Sequence, residues 1–172
     1  LDGCLYWIDG TAEAWSAAQW TQQVESVHKA GLRHVILTAP AATTSQPADS
    51  AFAGLDRFMA ACRGTDLRIY LSLWAHPIWY ARWNLDEELT ANRAVIDRMA
   101  TRYSSHPNFA GWYIPHEVYV VWDRQARYII DLYAGLSSMC KQRTPDKQVV
   151  LSPFFILDRE KHLGDFPFVE PA

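Results

Sequence analysis

Short runs of β-branched and aromatic residues alternate along the chain with longer stretches in which apolar residues recur every three or four positions. The first pattern predicts strands, and the second predicts helices that bury one face. The strand-like runs are Cys4–Asp9, His34–Thr38, Leu67–Trp74, Phe109–Pro115 and Gln148–Phe155. Between them, Trp20, Val24 and Val27 predict a helix that Gly31 ends as a C-terminal cap. Phe52, Leu55, Met59 and Cys62 predict a second helix that stops at Gly64, and Leu89, Ile96, Met99 and Tyr103 a third. Ile129, Tyr133, Leu136 and Cys140 predict a fourth. Asp86, Glu87 and Glu88 crowd the first turn of the third helix, where carboxylates suit the positive end of the helix dipole. The stretch from Ala41 to Ser50 has neither period and reads as a loop.

Strand and helix in regular alternation predict an α/β fold with a parallel sheet. One unit takes about 36 residues, so eight would take about 290, a normal length for a (β/α)8 TIM barrel. Residues 1–172 then form a single, partial domain holding about the first five βα units. A doubly wound sheet is the alternative, but it should carry a Gly-rich first turn, and Asp9-Gly10-Thr11-Ala12-Glu13 is not one. Five parallel strands alone would leave bare edges, so a missing C-terminal barrel half, or a second copy covering the sheet edge, is expected as partner. The first residue is Leu1 rather than Met, which implies a segment removed upstream.

Composition narrows the function. With 49% hydrophobic and 20% charged residues the chain is globular, not disordered. Its formal charge is −3 with no basic cluster, which speaks against nucleic acid and anionic membrane as partners. No apolar run approaches the roughly 20 residues of a membrane-spanning helix. Cys4, Cys62 and Cys140 are odd in number and widely separated, so they make neither a disulfide framework nor a CxxC metal pair. No P-loop or G-x-S-x-G elbow is present, and no cofactor or metal is expected.

In a barrel the working residues gather at the carboxyl ends of the strands. Those ends present Trp7 and Asp9, Thr38, Trp74 and His76, His116 and Glu117, then Ser152 and Phe154. The chain holds eight Trp, eight Tyr and seven Phe, and several crowd these ends: Trp74, Trp79, Tyr80 and Trp83 in one loop, Trp112, Tyr113, Tyr119 and Trp122 around the next strand end. Flat rings with a hydrogen-bonding edge suit the C–H face of a sugar, so carbohydrate is the expected ligand. A satellite core under the loop is the alternative for these rings. Glu117 follows Pro115, which cannot donate to a ladder and marks a strand end. A carboxyl group there, partly dried by Trp and Tyr, would suit protonation of a leaving-group oxygen. Capping or ion pairing with Arg82 or Arg124 is its structural alternative. For Asp9, capping of the next helix competes with a sugar contact. His76, His116 and Asp9 could instead serve a metal-dependent hydrolase, although no His-x-His or His-x-x-x-His pair is present.

Gly111-Trp112-Tyr113-Ile114-Pro115-His116-Glu117, with Trp15 to Leu37 upstream and Leu151-Ser152-Pro153-Phe154-Phe155 downstream, resembles the bacterial barrel family catalogued as domain of unknown function 4434. That family is similar in layout to glycoside hydrolases of the large retaining barrel clan. The resemblance implies a glycosidase with Glu117 as general acid/base at the end of strand four. His116 stands where the clan carries asparagine, and the clan's nucleophile, on strand seven, would fall beyond Ala172. The expected carbohydrate cleft is lined by Trp7, Trp74, Trp79, Tyr113 and Trp122, with Asp9, His76 and His116 as further substrate-binding candidates, in a secreted or periplasmic protein. A carbohydrate-binding barrel without catalysis is the second expectation.

Overall fold

The computed structural model describes residues 2–118 and 123–152. The chain opens with β1 (Gly3–Trp7), a single turn α1 (Gly10–Glu13) and α2 (Ala17–Lys29), then β2 (His34–Thr38). The connection to α3 (Ala53–Cys62) contains two 3-10 turns, Pro40–Ala42 and Asp49–Phe52, within the stretch expected to be a plain loop. β3 (Arg68–Ser72) leads through the short α4 (Trp79–Arg82) to α5 (Leu85–Tyr103), and β4 (Phe109–Ile114) is followed by α6 (Asp123–Arg143) and β5 (Gln148–Leu151). The run expected to continue to Phe155 lies outside the described residues past Ser152.

Helix ends follow their sequence signals. Ser16 and Gln19 form a reciprocal capping box at the start of α2. Gly31, just past its end, takes φ +82°, a left-handed turn that a side chain would strain. Asn84 caps α5 through the Glu87 amide.

The five strands are all parallel and lie in chain order, β1-β2-β3-β4-β5. No switch in order occurs, so the doubly wound alternative is excluded and the sheet is the leading part of a (β/α)8 barrel. On one face Val35, Leu37, Ile69, Leu71, Trp112 and Ile114 are buried together with Trp20, Phe58, Met99 and Leu132 from the helices. On the other face, which lines the barrel, the register aligns Leu5, Ile36, Tyr70, Gly111 and Gln148 in one row. Trp7 and Thr38, and Ser72, Tyr113 and Val150, follow nearer the carboxyl ends. Leu5 on this face is 52% exposed. Tyr70 reaches past Gly111 and donates its hydroxyl to Gln148 Oε1 at 2.7 Å, an atom that also accepts from Arg68. The His34 ring stacks on Tyr70.

Candidate active site

A cleft of about 680 Å³ opens at the carboxyl ends of the strands, walled by Trp7, Thr38, Ser72, Pro77, Tyr113 and Glu117 among others. Strand pleating puts Trp7 and Tyr113 on this side, and Pro115, which has no N–H, stops β4 so that the chain can turn Glu117 into the opening. Trp7 is 71% exposed, an indole held at the rim with its surface open.

Glu117 is joined to two hydroxyls. Its Oε1 lies 3.4 Å from the Tyr113 hydroxyl and 3.4 Å from Ser152 Oγ, which are themselves 2.7 Å apart. Whichever hydroxyl donates to the other, the second proton is left for the carboxylate, so a chain of hydrogen bonds ends on Oε1. Burial pushes the Tyr113 phenol up, the Ser152 hydrogen bond opposes this, and the Glu117 charge adds to it, so Tyr113 stays a proton donor at neutral pH.

Among the described residues the dry, aromatic setting expected around Glu117 is present only in part: Tyr113 touches it, and the residue is exposed. The reason is where the rings go. Trp112 alternates to the helix side of the sheet, where its indole N–H donates to Thr144. Trp74 is buried in the core, with both its backbone N–H and its carbonyl held by Asn92. Trp79 packs edge-on to His116 and Trp83, and Trp83 in turn packs on Tyr128, so most of that loop forms a satellite core behind the strand ends. Trp122 lies outside the described residues.

The polar candidates also separate. Asp9 accepts the Thr11 and Ala12 amides and caps α1. His76 turns its ring nitrogens to the Ile78 amide and the Arg82 guanidinium. His116 faces away from the cleft, its Nε2 3.2 Å from Glu88. Among the described residues no three His, Cys, Asp or Glu side chains gather as metal ligands would, and the donors of the metal-dependent reading stay apart. Glu117 is the one carboxylate among the described cleft-lining residues.

Ser152 was legible as a strand-end residue, but its pairing with Glu117 required the β4–β5 register. Glu88 was missed as part of this region. The signal was present, since Glu88 and Asn92 extend the stripe of Ile96, Met99 and Tyr103 and so occupy buried phase, while Leu89, expected inside, is only half-buried.

The same arrangement of strands and helices recurs in solved glycoside hydrolases. A protein assigned as an alpha-L-fucosidase from Bacteroides thetaiotaomicron is 17% identical with a TM-score of 0.69, over 89% of this chain and 51% of that one. An endo-beta-1,4-mannanase from Thermotoga petrophila is 12% identical with a TM-score of 0.65, over 88% of this chain and 42% of the mannanase. A glycoside hydrolase family 5 protein from Bacteroides vulgatus is 13% identical with a TM-score of 0.62, over 88% of this chain and 35% of the other. The chain thus spans about half of such proteins or less, and at these identities the likeness establishes the barrel fold alone. No curated protein matches the sequence. The family model described as Domain of unknown function (DUF4434) matches residues 1–168, and the chain belongs to that family.

Proposed function

We propose that the protein is a glycosidase acting on a polysaccharide or glycoside, with Glu117 as general acid/base and Trp7 as the platform for a sugar ring. The carrying observation is the carboxylate at the end of β4, open to a cleft and tied to the hydroxyls of Tyr113 and Ser152, across from an exposed indole. A protonated Glu117 can give its proton to the glycosidic oxygen as the bond to the anomeric carbon breaks, while the oxygen of water ends on that carbon, in one displacement or two, and the proton water gives up restores the acid. Tyr113 and Ser152 hold Oε1 and so orient the carboxyl group. The barrel-sharing fucosidase and mannanase support a neutral sugar as substrate, and such a substrate supports a secreted or periplasmic location. Among the described residues no helix is long and apolar enough to cross a membrane.

Release of reducing ends from a panel of neutral polysaccharides, β-1,4-mannan among them, tests the reading in the full-length protein. Glu117→Gln should lower turnover of an unactivated glycoside by about 10²–10⁴ while sugar binding persists. Unchanged turnover in that variant would remove the assignment. A carbohydrate-binding barrel without catalysis is favoured by one observation, the lack of a second carboxylate among the described cleft-lining residues. It predicts polysaccharide retention that Trp7→Ala abolishes and Glu117→Gln leaves alone.

A further inference from the structure

Behind the cleft lies an ionisable pair that the proposed reaction does not use. Glu88, in the first turn of α5, and His116, between Pro115 and Glu117, are each 1% exposed. The two carboxylate oxygens of Glu88 hold two different strand exits. Oε1 accepts the backbone N–H of His76, after β3, at 3.1 Å, and Oε2 meets His116 Nε2, after β4, at 3.2 Å. His116 Nδ1 is buried with no partner among the described residues, so the ring proton belongs on Nε2, where it donates to Glu88. Asn92, one turn along α5, ties the Trp74 backbone and the Glu88 carbonyl to the same assembly. From α6 the Tyr133 hydroxyl donates to the His116 carbonyl, and the Trp79 ring packs edge-on to the imidazole with centroids 5.2 Å apart.

Such a pair is a poor source of stability, because drawing both groups out of water costs about as much as their attraction returns, and apolar replacements of similar volume are often no less stable. What an apolar pair cannot do is fix direction. Glu88 grips the ring of the residue that precedes Glu117 and the backbone of the loop facing it, leaving few torsions free between the grip and the reacting carboxyl group. We propose that Glu88 is a positioning residue, acting through His116 to set the place of Glu117 at the cleft wall. This rests on the reading of Glu117 as acid/base.

The test uses the full-length protein and the glycoside that the panel shows to be cleaved. Glu88→Gln cannot satisfy both partners without forcing the His116 proton onto the unpartnered Nδ1. It should lower kcat by about 10²-fold, the order expected for misplacing a catalytic group by about 1 Å, and leave KM within about threefold. In a Glu117→Gln background the same change should add no further loss, because nothing remains to be positioned. Glu88→Met combined with His116→Leu should restore Tm while kcat stays low. A kcat that recovers with Tm, or a Glu88→Gln loss that persists undiminished in the Glu117→Gln background, would overturn the proposal. Should Glu117→Gln itself retain full turnover, the acid/base reading fails first. The positioning claim is then decided by the carboxyl ¹³C resonance of Glu117, which Glu88→Gln should displace. If the double variant does not fold, the cycle with Glu117→Gln and the resonance still decide, and an unmoved resonance counts against the claim.

Discussion

Asn92 makes three hydrogen bonds from a fully buried amide, taking the Trp74 N–H and giving to the Trp74 and Glu88 carbonyls. Replacing it by Ala strands the Trp74 N–H and carbonyl away from water, each orphan costing about 1 kcal/mol or more, while the Glu88 carbonyl keeps the helical N–H of residue 92. Asn92→Ala should therefore lower unfolding free energy by about 2 kcal/mol in urea titrations, above the change for an exposed asparagine such as Asn84→Ala, which removes a cap worth about 1 kcal/mol. Burial pushes the Cys62 and Cys140 thiols up to about 12. Because their folded values exceed the unfolded ones, the unfolded chain loses these protons first as pH rises. Stability is then complete below about pH 9 and falls between there and about pH 12, by about 1.4 kcal/mol per pH unit for each thiol. Urea melts at rising alkaline pH should show this slope, and Cys62→Ala with Cys140→Ala should flatten it. The phenols of Tyr103, Tyr113, Tyr128 and Tyr133, also raised chiefly by burial, contribute to the slope that is left.

At the level of elements, period and punctuation were enough to locate the strands and the long helices, since each depends on a stripe of residues that repeats locally. Phe109 to Ile114 could be read as a strand ended by Pro115 from its own residues alone. What could not be read is which way a ring turns once the chain leaves a strand. Trp74 and Trp79 look like cleft residues in sequence, and they are instead drawn behind the sheet by Asn92 and His116, partners 18 and 37 positions away. Asp9 shows the same ambiguity in a shorter range, because a carboxylate just before a helix suits the helix itself. One element carries a sharp prediction. β4 has a register irregularity opposite Ile69 and Tyr70, and a Cβ on Gly111 would overlap the Gln148 carbonyl. Backbone cannot yield as a side-chain tip can, so Gly111→Ala should cost about 3 kcal/mol and loosen β5 first, seen as faster amide exchange at Val149 and Val150 than at Ile69.

For the molecule as a whole, the exposed Leu5 and Trp7 leave an apolar area on the barrel-lining face. Residues 1–172 produced alone should self-associate or bind an apolar dye through it, and Leu5→Ser with Trp7→Ser should reduce both in light scattering and dye titration. Covering that face with a partner or with further chain should have the same effect as the two substitutions.

The hydroxyl of Tyr70, passing over the bare backbone of Gly111 to Gln148, links two strands that never pair with one another. It works as a gauge across the sheet. A slide of β5 by one residue along β4 would take Gln148 out of reach and turn every β5 side chain to the opposite face. Ser152 would then leave the carboxylate it touches. The height at which a hydroxyl meets Glu117 at the mouth of the barrel is thus set near its floor, by a tyrosine on the next strand but one.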